Sequence, residues 1–120
     1  MTLEFNIDEH NQMLIAFVTG PYEFEKIIKV IRMSLEKSLE KNLKRVLIDM
    51  AQVSNPDVSA IKKYTFGNEM FLNWGKKMKM CIVYDHKYIP EINEEAKEGP
   101  GKWALITANQ NQSVFWLLSS

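Results

Sequence analysis

RVLIDMAQVSNPDVSAIKKY, residues 45–64, decides the fold because it contains a strand, a polar turn and the start of a helix. Its apolar run over 46–50 carries a single acid, Asp49, which is typical of a parallel strand covered on both faces. In the turn, Pro56 is expected to hold its predecessor extended, and Asp57 is expected to cap the helix that follows. Ligands of open α/β sheets bind at the carboxyl ends of strands, so we expect any functional site here.

Two strands and a helix are predicted before this stretch. Leu3, Phe5 and Ile7 alternate with polar residues, the pattern of an edge strand with one face in solvent. Residues 13–19 are more apolar, so the two segments should pair as an antiparallel hairpin. Over 22–42 the apolar residues recur at steps of three and four, which predicts an α-helix. Its predicted inner face comprises Phe24, Ile27, Ile28, Ile31, Leu35 and Leu39.

The alternation of strands and helices continues to the end of the chain. A helix is predicted over 58–74, a strand over 78–84, a short acidic helix over 89–97 and a strand over 103–107. A last helix, capped by Asn109 or Asn111, should dock on the sheet through four apolar residues, Val114, Phe115, Leu117 and Leu118.

The predicted order is β-β-α-β-α-β-α-β-α. It indicates a single α/β domain over residues 1–120, with four helices and a mixed, mostly parallel sheet of about five strands.

Composition argues against several classes of function. Fifteen basic and fifteen acidic residues give a formal net charge of zero, so no overall field favours nucleic acid or an anionic membrane. The N-terminus lacks the pattern of a secretory signal, and no apolar run approaches the roughly twenty residues of a membrane-spanning helix. Cys81 lies in the apolar stretch MCIVY, which indicates a buried thiol. We therefore expect a soluble, cytoplasmic protein.

No complete catalytic or metal-binding pattern is present. The acids Glu91, Glu94, Glu95 and Glu98 have no His or Asp at ligand spacing, so a solvated helix face is expected. His10 and His86 lie far apart in predicted turns. The sequence also lacks the motifs of nucleotide binding and of nucleophilic hydrolysis. We therefore predict a protein that is not an enzyme and has neither metal nor cofactor.

A second apolar stripe lies on the helix predicted over 58–74. Phe66, Met70 and Trp74 follow one another at steps of four, away from the face formed by Ile61, Tyr64, Phe71 and Leu72. Such a stripe packs inside the domain or forms an interaction surface. Met33 lies opposite the inner face of the first helix and is expected to be exposed, so a homodimer is expected.

The element order, the core stretch at 45–64 and the terminal VFWLL resemble the SpoIIAA-like proteins, the group of STAS and SEC14-type domains that includes anti-sigma factor antagonists. In those antagonists the turn after the central strand holds Asp-Ser-Ser-Gly or similar, and its second Ser is phosphorylated. Asp57 matches the acid and Ser59 matches the phosphoacceptor. Val58 replaces the first hydroxyl residue and Ala60 replaces the Gly.

The resemblance implies a non-catalytic regulatory domain that binds a protein partner of kinase or anti-sigma type and is switched by phosphorylation at Ser59. The second apolar stripe, with Phe66, Met70 and Trp74, and the turn at 54–59 would then form the partner surface. Asp49, Ser54 and Asp57 would be the residues of the switch turn and the helix cap. The interpretation that we prefer for Ser59 is an ordinary residue of a helix start, and for Asp49 a carboxylate that bonds nearby backbone amides. The alternative function, from the SEC14-type side of the resemblance, is a small binding module for an apolar ligand such as a lipid.

Overall fold

The computed structural model describes residues 1–89 and 96–119. These residues form six strands and four α-helices, joined by loops and short 3-10 turns. The strands are β1 (Thr2–Asp8), β2 (Met13–Pro21), β3 (Arg45–Ser54), β4 (Lys79–Val83), β5 (Ala96–Glu98) and β6 (Ala104–Thr107). The helices are α1 (Phe24–Glu40), α2 (Val58–Thr65), α3 (Asn68–Trp74) and α4 (Gln110–Leu118). No helix among these residues is long and apolar enough to cross a membrane.

The strands form one mixed sheet in the order β1-β2-β3-β4-β6-β5, which confirms the predicted α/β character. β2, β3, β4 and β6 are parallel, whereas β1 and β5 pair antiparallel at the two outer positions. The predicted hairpin is confirmed by the pairing of Leu3 with Val18 and of Phe5 with Ala16. The four parallel strands therefore start at one edge of the sheet, the amino edge, and finish at the other, the carboxyl edge.

The prediction of about five strands is wrong because residues 96–98 form strand β5, although the acidic helix was predicted to extend to residue 97. Glu98 pairs with Leu105, so β5 satisfies the backbone groups along the outer side of β6. The pairing of one strand with another cannot be recognised from the local spacing of apolar residues, so the sequence does not predict β5. The rest of that predicted helix, residues 90–95, lies outside the described residues.

The single helix predicted over 58–74 is two helices, which separate at Phe66 and Gly67. The Phe66 amide still donates to the Lys62 carbonyl at 2.8 Å, but Gly67 is extended, with φ of −71° and ψ of 160°. The Phe66 ring packs against Gly99, where a Cβ atom would lie 2.5 Å from Cδ1 of the ring. Because of this break, Phe66 at the end of α2 and Phe71 of α3 both contact the loop that precedes β6.

The main core lies between the sheet and α1, α2 and α3. Its buried residues include Ile27, Ile31 and Leu35 of α1 and Val46, Ile48 and Met50 of β3. The inner face of α1 differs from the prediction at both ends, because Phe24 and Leu39 are exposed.

Two serines are buried on the inner face of α1. The Ser34 hydroxyl donates to the Val30 carbonyl at 2.6 Å, and the Ser38 hydroxyl donates to the Leu43 carbonyl at 2.8 Å. Because both hydroxyls are hydrogen-bonded, small polar residues can lie against the sheet without an unpaired donor.

The second face of the sheet is packed by α4, through Leu117 and a smaller buried cluster that includes Met13, Cys81 and Leu105. Only part of this face is covered, so Leu47 and Asp49 of β3 are half-buried. The expectation that β3 is covered on both faces is therefore wrong for the second face.

The predicted docking of α4 through four apolar residues is wrong for three of them. Val114, Phe115 and Leu118 are exposed, Phe115 by 77%, while Leu117 is fully buried. A helix that lies on the sheet with one narrow face buries about one residue in each turn, so apolar neighbours on other faces stay in solvent.

Two cations at the amino edge hold the C-terminus of α4. Arg45 Nε donates to the Leu117 carbonyl at 3.0 Å, and Lys79 Nζ donates to the carbonyls of Trp116 and Ser119, each at 2.6 Å. The Lys79 ammonium also lies 4.4 Å from the centre of the Trp116 ring. Burial and the charge of Arg45 lower the pKa of Lys79. Both cations therefore satisfy carbonyls that a helix end leaves unpaired and lie at the negative end of its dipole.

We predict that Lys79→Met lowers the free energy of unfolding by about 1–2 kcal/mol, because it removes charged hydrogen bonds to two carbonyls. Urea unfolding followed by far-UV circular dichroism measures the change. Lys76→Met, at an exposed lysine, is the matched control and should change stability by less than about 0.5 kcal/mol. Equal effects of both substitutions would contradict the proposed anchoring of α4.

We also predict that Gly101→Ala destabilises the protein by about 1–3 kcal/mol. Gly101 has φ of 62°, and a Cβ atom there would lie 2.7 Å from Cε2 of Phe71. Gly99→Ala separates the two causes, because Gly99 has an ordinary φ of −86° and retains only the contact with a ring. Thermal unfolding of both variants is the measurement, and unchanged midpoints would show that the rings move aside without cost.

Candidate functional site

The turn after β3 is fixed by backbone hydrogen bonds to two tyrosines. The Tyr22 amide donates to the Ser54 carbonyl at 3.0 Å, and the Asn55 amide donates to the Tyr88 hydroxyl at 2.9 Å. Asn55 has φ of 53°, so the expectation that Pro56 keeps its predecessor extended is wrong. Asn tolerates the left-handed region better than most residues, and the bond to Tyr88 holds its amide in place.

Asp57 occupies the N-cap position of α2, and its Oδ1 accepts a hydrogen bond from the Ala60 amide at 3.0 Å. The Ile61 amide donates to the Asp57 carbonyl at 3.1 Å, which is the first turn of the helix. Pro56 and Val58 on either side are buried. The cap residue is therefore held between two apolar anchors while its carboxylate stays exposed.

A buried hydroxyl lies near this cap. The Tyr22 hydroxyl has no hydrogen-bond partner among residues 1–89 and 96–119. Burial raises the pKa of Tyr22, and the negative charge of Asp57 raises it further. The phenol therefore stays neutral beside the carboxylate and supplies no charge to the turn.

Ser59 lies in the first turn of α2, one residue after the buried Val58, and is exposed. The first four amides of a helix have no partner within the helix, and Asp57 satisfies the one from Ala60. Lys63 is exposed one turn further along, at the i+4 spacing that brings side chains together on a helix. The surroundings of the hydroxyl thus combine solvent access, the positive end of a helix and a nearby cation.

Asp49 does not join this turn. It points to the second face of the sheet, and its Oδ1 accepts a hydrogen bond from the Ala51 amide at 3.0 Å. The register between β2 and β3 shifts at this point, between Phe17 and Thr19. The carboxylate therefore binds a backbone amide of its own strand at an irregularity in the sheet, while Ser54, Asp57 and Ser59 lie together at the carboxyl edge.

The aromatic stripe does not form an open interaction surface. Met70 is only 4% exposed and packs in the main core, so its assignment to an interaction surface is wrong. Phe66 and Trp74 are half-buried and pack against the same core. Leu72, which the sequence places on the other apolar face with Ile61, is 79% exposed, since the break in the helix changes the face that α3 turns to the sheet.

Met33 is 48% exposed, as predicted from its position opposite the inner face of α1. Met33 and Leu72 are among the exposed large apolar side chains that a homodimer could use, whereas Met70 is buried, and self-association stays a prediction.

The described residues contain no group of three or more His, Cys, Asp or Glu that could hold a metal ion. Cys81 is fully buried, and burial raises the pKa of its thiol to about 12, so the thiolate needed for nucleophilic attack is disfavoured. His10 lies in the turn between β1 and β2, whereas His86 lies in a short 3-10 turn after β4.

Comparison with known proteins adds no assignment. No protein-family model matches this chain, and no curated protein is significantly similar to it in sequence.

Sequence reasoning missed Tyr22 and Tyr88, which brace the turn. Tyr88 lies 33 residues from its partner Asn55, a distance at which spacing carries no signal. The helix predicted over 22–42 includes Tyr22, but α1 begins at Phe24. The only local indication was Asn before Pro, a pair that is typical of turns.

We predict that Asp57→Ala lowers the free energy of unfolding by about 1 kcal/mol, because the Ala60 amide loses its cap. Asp57→Asn is the matched control, since its side-chain oxygen accepts the same hydrogen bond without the charge. Urea unfolding of the two variants and the parent measures the difference. If the two substitutions lowered the free energy of unfolding equally, the charge of the carboxylate would matter more than the hydrogen bond of the cap.

Proposed function

We propose that this protein is a non-catalytic regulatory interaction domain of SpoIIAA-like type, in which a protein partner binds the turn at residues 54–59 and phosphorylation of Ser59 controls that binding. The observation that carries the proposal is the exposed Ser59 hydroxyl in the first turn of α2, next to a cap already supplied by Asp57. A modifying enzyme can reach this hydroxyl without unfolding the helix.

A phosphate on Ser59 would change the surface without disturbing the core. It would add about −1.5 to −2 charges at neutral pH and three acceptor oxygens. The amides at the start of α2, the helix dipole and Lys63 would stabilise it, while the Asp57 carboxylate would repel it. The net effect is a strongly charged group on a rigid turn. A partner would bind either only the phosphorylated form or only the unmodified form.

The geometry of the turn favours binding over hydrolysis. Among residues 1–89 and 96–119, no serine is hydrogen-bonded to a histidine, and Asp57 is engaged by a backbone amide. The turn is also fixed at its start, by Tyr22 on Ser54 and by Tyr88 on Asn55, and at its end by the Asp57 cap. A rigid exposed turn loses little conformational entropy when a partner binds.

The alternative of an apolar-ligand module has less support. Sites for small apolar ligands are concave and mostly apolar. The clefts among the described residues open to solvent and carry charged side chains, Arg32 and Glu69 in one and, in another with an apolar floor, Lys44 and Lys76 at the rim. An interaction domain fits this surface better.

We predict that Ser59 carries a phosphate in protein isolated from its native cells. Intact-mass and phosphopeptide analysis would show one added phosphate that is lost in Ser59→Ala and retained in Ser54→Ala, a matched change at another exposed serine of the same turn. Ser59→Glu should change the free energy of unfolding by less than about 0.5 kcal/mol, because the site is exposed. An unmodified Ser59 under all growth conditions tested would remove the switch from the proposal.

A further inference from the structure

Basic side chains collect at the amino edge of the sheet. Arg45 and Lys79 are the first residues of β3 and β4, and both are used by the C-terminus of α4. Lys44 precedes β3, Lys76 and Lys77 precede β4, and Lys102 lies in the loop before β6. The chain has a formal net charge of zero, so this edge is a local concentration of charge.

Two adjoining concavities open at this edge and share Met78; together we name them the amino-edge cleft. One has a volume of about 270 Å³ and is lined by Lys44, Lys76 and Lys77. The other has a volume of about 580 Å³ and is lined by Lys79 and Lys102. Glu98 is the only acid in either lining, as far as the described residues show.

Four of these lysines are free to bind a ligand. Lys44, Lys76, Lys77 and Lys102 are exposed, and none forms an ion pair within residues 1–89 and 96–119. The C-termini of α1 and α3 lie near the first three and compensate part of their charge. Lys102 follows no α-helix and is held in the left-handed region, with φ of 55°. The negative ends of helix dipoles therefore do not explain why all four lysines lie at this edge.

The floor of the amino-edge cleft is apolar. Leu39, on its rim, is 49% exposed, while Leu43 and Met78 lie buried beneath. Trp116 lines the second concavity and is half-buried. A ligand that fits must offer negative charge to the rim and apolar groups to the floor.

We infer that the amino-edge cleft binds an acidic segment of a partner protein in which carboxylates alternate with apolar side chains. Its carboxylates would pair with Lys44, Lys76, Lys77 and Lys102, and an apolar side chain would cover Leu39 and Met78. A bilayer is a poorer fit because its surface cannot follow a concave floor. Single-stranded nucleic acid is a poorer fit because Trp103 is buried and the Trp116 ring already carries the Lys79 ammonium.

The inference is independent of the proposed switch. β3 has ten residues and runs from Arg45 at the amino edge to Ser54 beside the turn. At about 3.3 Å per residue, the two surfaces are roughly 30 Å apart. The two proposals can therefore fail separately.

Fluorescence anisotropy with the full chain and a labelled peptide of alternating Glu and Leu tests the inference. We expect binding that weakens with added salt, and an affinity about tenfold lower for Lys76→Glu/Lys77→Glu, because two ion pairs are replaced by repulsion. Glu98→Gln should raise the affinity a few-fold, a gain that misfolding cannot produce. Lys26→Glu/Lys29→Glu, a matched double reversal at exposed lysines of α1 away from the cleft, should bind as the parent does.

Three results would overturn the inference. One is equal binding of a control peptide with Gln in place of Glu. Another is an equal loss of affinity in the Lys26→Glu/Lys29→Glu control. The third is preferential binding of labelled oligothymidylate, or of phosphatidylglycerol vesicles, that depends on Lys76 and Lys77.

Discussion

The packing of the second face of the sheet depends on the hydrogen bonds that Arg45 and Lys79 make to the end of α4. This helix has nine residues and buries only Ser113 and Leu117, too little to be stable by itself. The two cations start adjacent parallel strands, so their positions are fixed by the sheet and they hold the last carbonyls of the helix at a defined place. Leu117 is thereby placed over Met13, Cys81 and Leu105, and a second small core forms under one short helix.

The two edges of the sheet differ chemically because the parallel strands give every connection the same polarity. Helices that follow strands begin near the carboxyl edge, where unpaired amides favour acceptors and anions, as the Asp57 cap illustrates. They end near the amino edge, where unpaired carbonyls favour cations, and lysines accumulate in the loops that lead back into the sheet. The proposed phosphoacceptor lies at the first edge and the proposed acidic-segment cleft at the second. One fold can in this way present two surfaces of different specificity.

The sequence predicted what depends on near neighbours in the chain. The period-two pattern of β1, the helical period of α1 and the Asp57 cap are local, and the structure contains all three. It failed where a distant part of the chain determines the outcome. β5 forms because β6 offers an unpaired side, α2 separates from α3 where Phe66 meets Gly99, and Asn55 is left-handed where Tyr88 binds its amide. The basic cleft could not be predicted for a related reason, since its lysines come from three loops that only the fold brings to one edge.

The strand order has a consequence for where ligands can bind. β2, β3, β4 and β6 succeed one another across the sheet in chain order, and the crossovers from β2 to β3 and from β3 to β4 advance in the same direction. Right-handed crossovers that advance in one direction place their helices on one face, as α1, α2 and α3 are placed. The crevice that holds nucleotides in doubly wound sheets arises where this direction reverses and adjacent loops diverge to opposite faces. These two crossovers do not reverse, so over β2, β3 and β4 the topology directs recognition to turns and rims rather than to a central crevice.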